Sequence, residues 1–129
     1  MDAYDPETAP KPADWLAMDE QERILLVEDY HRVALIDLPD VSAHALFHVI
    51  IENQIAGKLQ SVLQAMNRLS AEGLDRHDAL HAIGSVLSEH MFRTLKYGDR
   101  GPSGTIQSGY ESDLARLTAK RWRKRYGGT

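Results

Sequence analysis

The feature that most constrains this chain is a repeated start-and-stop punctuation. Asp19 with Glu22, Asp40 with Ser42, Asp75, and Ser108 with Glu111 stand where a side-chain oxygen can accept the first unsatisfied N–H groups of a helix. Gly57, Gly73 and Gly98 stand where helices end. Between these signals apolar residues recur at three- and four-residue spacing, as in Leu59, Val62, Leu63, Met66, Leu69 and again in Leu80, Ile83, Leu87, Met91. No alternating run is long enough for a strand. The pattern predicts an all-α fold, a single-domain bundle of about five helices over roughly 20–35, 40–56, 58–72, 76–97 and 110 onward.

Organisation follows from the same signals. Residues 1–13 contain Pro6, Pro10 and Pro12 and read as an extended N-terminal segment, with Pro12–Leu16 able to open one helical turn and Trp15 as its anchor. Residues 14–97 form the helical core. Residues 98–109 hold four glycines and a proline and read as a flexible loop. Residues 110–129 form a C-terminal helix with a basic tail.

Two histidine pairs share one spacing, His44-x-x-x-His48 and His77-x-x-x-His81, and each falls inside a predicted helix. Four residues is close to one turn, so each pair projects from a single helix face. The first ladder continues to Glu52. The two tight turns at Gly57 and Gly73 predict that helices 40–56 and 76–97 run parallel, so ladders of equal spacing can meet rung to rung. Imidazole nitrogens with a carboxylate suit a divalent transition metal, here Zn, Fe, Mn or Ni. The expected ligands are His44, His48, Glu52, His77 and His81, with Glu52 also the candidate base if bound water is deprotonated for hydrolysis.

Composition narrows the chemistry. The chain has no cysteine, which excludes disulfides, thiolate ligands and a cysteine nucleophile. No stretch approaches a membrane span and the N-terminus is acidic and proline-rich, so a cytoplasmic protein without a membrane partner is expected. The net charge of −4 conceals an asymmetry, because residues 116–129 carry six Lys/Arg and no acid. In Lys120–Tyr126 these cations complement a helix C-terminus more simply than they bind phosphates, so nucleic acid is not the expected partner. The partner is an unidentified small molecule or protein, and the oligomeric state is not encoded in any motif.

HALFHVIIENQIA followed by LSAEGLDRHDALHAIGSVLSEH, with DEQERILLVEDYHR upstream, resembles the uncharacterised bacterial family catalogued as domain of unknown function eighteen-forty-one. The resemblance runs from about Tyr4 to Tyr97. It implies a small all-helical bacterial protein and emphasises His44, His48, Glu52, Asn53, Gln54, His77 and His81, with no activity attached. The chain departs from that family in its tight turn at Gly57-Lys58.

A structural reading competes with the metal. Glu52, Asn53 and Gln54 are consecutive polar residues in an apolar helix, so at least one must face the interior and needs a partner there. A hydrogen-bonded His/Glu/Asn/Gln network in a non-enzymatic adaptor satisfies the same residues. His31 reads as solvated and His90 as packed. His77-Asp78 with distant Asp113 evokes a helical metal phosphohydrolase only superficially, since adjacent residues point about 100° apart on a helix.

Overall fold

The computed structural model describes residues 1–33, 41–97 and 105–126. Seven helices follow in order: α1 (Pro12–Ala17), α2 (Glu20–Val33), α3 (Val41–Ala56), α4 (Gln60–Ala71), α5 (Arg76–Tyr97), α6 (Thr105–Arg116) and α7 (Ala119–Tyr126). The described residues contain no strand, so the all-α expectation holds, with seven helices instead of five. The chain separates into two compact units, Met1–Leu59 and Gln60–Thr129, each with its own set of packed helices.

The caps explain most boundaries. Asp19 Oδ1 accepts the Glu22 amide at 2.9 Å and Asp75 Oδ1 accepts the Asp78 amide at 2.8 Å, as the sequence predicts. Asp40 lies outside the described residues. Pro12 occupies the first turn of α1, where its missing N–H costs nothing.

Two turns end helices in the same way with different residues. After α4, Gly73 takes φ +98° while its own amide bonds Ser70 O and the Leu74 amide bonds Leu69 O. After α3 the corresponding amides, Lys58 to Ile55 O and Leu59 to Gln54 O, place the left-handed conformation on Lys58 (φ 60°), one residue beyond the expected glycine. Gly57 sits where a Cβ would come within 3.2 Å of the Asn53 carbonyl oxygen.

The C-terminal third corrects the sequence reading three times. The helix expected from residue 110 begins at Thr105, so Ser108 lies inside it. Gly109, taken for a loop glycine, sits where a Cβ would stand 3.2 Å from His90 Cε1, so it permits close packing of α6 on α5. The expected single last helix is two, because Thr118 Oγ1 accepts the Arg121 amide at 3.1 Å and starts α7 afresh.

The first unit packs α3 against α1 and α2 around Trp15, Val27, Ala45 and Val49, all fully buried, with Tyr4 from the N-terminal segment. Trp15 anchors its short helix as expected. Its Nε1 donates to Asn53 Oδ1 at 2.8 Å, and Arg23 donates to the same oxygen at 3.0 Å and to the Leu16 and Met18 carbonyls. The second unit packs α4, α5 and α6 on one another around Leu69, Ile83 and Leu114. Arg68 ties α4 to the end of α6 by donating to the carbonyls of Leu114 and Leu117.

Candidate metal centre

The apolar character of α3 extends around its circumference, and two of its polar side chains are drawn into the interior. His48 and Glu52 are buried and His44 is half-buried one turn earlier. The spacing of four residues brings His44 Nε2 to 3.1 Å from His48 Nε2.

A third imidazole joins them. His31 is fully buried on α2, with its ring 4.7 Å from that of His44 and 5.0 Å from that of His48, both edge-on. The sequence reading placed His31 in solvent. The available signal was its position one turn after Val27, on the stripe of Ile24 and Val27 that faces the core.

Hydrogen bonds set two of the tautomers. His31 Nδ1 lies 2.8 Å from the Val27 carbonyl oxygen, which can only accept, so Nδ1 carries the proton and the neutral ring keeps its lone pair on Nε2. Tyr4 supplies the second constraint. Its hydroxyl donates its single proton to Glu52 Oε2 at 2.6 Å and therefore accepts from His48 Nδ1 at 3.2 Å. The neutral His48 ring likewise keeps its lone pair on Nε2, facing His44. Glu52 thus stands behind the histidines, coupled to His48 through Tyr4. Tyr4 was missed because an extended, non-periodic segment carries no packing signal.

His31, His44 and His48 each offer a nitrogen, and these lie within 4.8 Å of one another. Nitrogens bound to one metal at about 2.0–2.1 Å stand about 3.3 Å apart in a tetrahedron and about 4.2 Å apart at most. A small contraction brings the three within that range. Asn53 faces Trp15 and Arg23 and is not among them.

In the second unit, His77 and His81 repeat the pairing on α5. Their rings lie 4.2 Å apart, and both are half-buried. Ser85 Oγ donates to the His81 carbonyl and accepts from Trp122 Nε1. Burial and the nearby Asp75 carboxylate push the Asp78 carboxyl up, with Arg123 pulling the other way. Asp113, the distant carboxylate of the phosphohydrolase pattern, is taken by His90 Nε2 at 2.7 Å and by Arg93 and Arg116. It does not serve the His77-Asp78 pair.

Searches against protein-family models, curated proteins and solved structures find no match for this chain. Functional inference therefore rests on the geometry. Among the described residues no helix is long and apolar enough to cross a membrane.

Proposed function

We propose that the chain binds one divalent transition metal through imidazole nitrogen, with His31, His44 and His48 as the ligands. The observation that carries this reading is the convergence of three imidazoles, two of them buried and held by Nδ1 contacts that leave the Nε2 lone pair available. Ligating histidines characteristically give their second nitrogen to a carbonyl or a carboxylate-linked group, as His31 and His48 do. Shifting the His44 proton to Nδ1 would point a third Nε2 lone pair at the same cation. An all-imidazole set suits Zn, Ni, Co or Fe better than Mg or Ca.

A hydrolytic role has less support than a structural or metal-holding one. Glu52, the candidate base, is occupied by the Tyr4 hydroxyl.

The closed chain Glu52–Tyr4–His48–His44 also favours a second reading, a purely structural hydrogen-bonded core. Melting curves with and without chelator separate the two. For a metal site, chelator should lower the melting temperature of the wild type and leave His31→Ala unchanged, and added metal should stabilise only the wild type. For a structural network, chelator should leave the wild type unchanged while His31→Ala still loses about 1–3 kcal/mol.

A further inference from the structure

The second unit contains an open cleft of about 640 Å³ between the C-terminal half of α5, the end of α6, and α7. That volume lies within the range of small-molecule sites, about 300–1,000 Å³. Its walls carry four guanidiniums, Arg93, Arg116, Arg121 and Arg125, against two carboxylates, Glu89 and Asp113. Four cations facing two anions leave an excess of two positive charges, on a chain whose net charge is −4.

The acids orient these arginines without neutralising them all. Arg93 and Arg116 share the single carboxylate of Asp113, and Arg125 reaches Glu89 at 2.9 Å. A guanidinium carries five donors, and the side chains of Arg93, Arg116 and Arg125 are each more than half exposed. The exposed guanidiniums of Arg93 and Arg116 therefore border the cleft. Apolar surface accompanies the charge. Trp122 and Leu117 are almost buried in the wall, whereas Phe92 projects with 61% of its surface exposed, with Lys96 Nζ 5.7 Å from its ring centroid.

Convergent arginines recognise phosphate through parallel N–H···O bonds, and an exposed aromatic ring beside them offers a stacking face. We propose that this cleft binds a small organic phosphate with a planar ring, the phosphate held by Arg93, Arg116 and Arg125 and the ring stacked on Phe92. The site is separate from the imidazole centre, and its ligand need not involve a metal.

The test uses the full chain and adenosine monophosphate as probe, with inorganic phosphate and a ring-bearing nucleoside lacking phosphate as controls, followed by titration calorimetry. Saturable one-to-one binding of the monophosphate is expected, with both controls weaker. Arg116→Gln and Arg125→Gln should each weaken it roughly tenfold or more, because each removes a charge-assisted hydrogen bond. Phe92→Ala should weaken the monophosphate without changing inorganic phosphate. Phe92 and Arg125 are exposed, so their variants should retain the wild-type melting temperature even if Arg116→Gln disturbs the Asp113 cluster. The proposal is overturned if the monophosphate does not bind, or if folded Arg125→Gln and Phe92→Ala bind it as the wild type does. It is also overturned if only oligonucleotides bind, with affinity rising with length, since that would make the face a nucleic-acid surface.

Discussion

The two histidine ladders have the same spacing and different surroundings. In the first unit His48 is backed by Tyr4 and Glu52, and His31 arrives from another helix, so the imidazoles belong to a buried, hydrogen-bonded centre. In the second unit the polar investment is mostly peripheral, with Asp113 gathering His90, Arg93 and Arg116 beside an open cleft. Spacing on a helix determines which side chains share a face. The rest of the chain determines what stands behind them, and that supporting layer separates a preorganised ligand from a polar residue at a surface.

The largest test of this contrast compares the two tryptophans. Trp15 is fully buried and joins Asn53, whereas Trp122 is 7% exposed at the edge of the cleft. Trp15→Ala should cost about 3–5 kcal/mol in urea unfolding, and Trp122→Ala less. Equal losses would show that both units rest on comparably closed cores.

Tyr4→Phe sharpens the comparison within the first unit. It keeps the ring packed against Trp15 and Tyr30 and removes only the hydroxyl between Glu52 and His48. We expect about 1–3 kcal/mol lost in thermal unfolding and metal affinity weakened roughly 10–100-fold by calorimetry. Ser85→Ala, which removes the hydroxyl between the His81 carbonyl and Trp122, should have the smaller effect on both.

Acid titration addresses the periphery. Burial pushes the Asp113 carboxyl up, but hydrogen bonds from His90, Arg93 and Arg116 outweigh it and hold the group below its ordinary value of 3.8. A depressed carboxylate contributes stability that is present above the unfolded value and lost as pH falls through the folded one. Wild type should therefore lose more stability than Asp113→Asn between about pH 4 and pH 2, measured by urea midpoints. Parallel curves would remove Asp113 from that balance.

The smallest expected effect is a gain. Lys58 holds the left-handed position that Gly73 fills after α4, so Lys58→Gly should stabilise the first unit by about 0.5–1 kcal/mol. A loss in the same melting measurement would show that the Lys58 side chain matters more than its backbone.

These residues also show how far a sequence carries. Asp19, Asp75 and Gly73 act within four residues of themselves, so their roles are readable from local pattern, and α5 begins where its signal predicts. The same locality reveals the two ladders. Tyr4 and Glu52 are 48 residues apart, and no periodicity in an extended N-terminal segment announces their contact. Gly109 was misread because glycine serves a loop and a close helix approach equally well, and only the position of His90 decides between them. No glycine or proline separates α6 from α7, so nothing in the local pattern marks the break that Thr118 caps.

The central claim is that the imidazoles form a metal centre, and metal content tests it most directly. Protein prepared without a histidine tag should be exposed to Zn, Co, Ni, Fe or Mn, desalted and analysed for bound metal. One ion per chain is expected for at least one of these metals, falling to none in His31→Ala and His48→Ala that remain helical by circular dichroism. A folded wild type retaining no stoichiometric ion of any of them, or holding its ion unchanged in both variants, would contradict the metal reading.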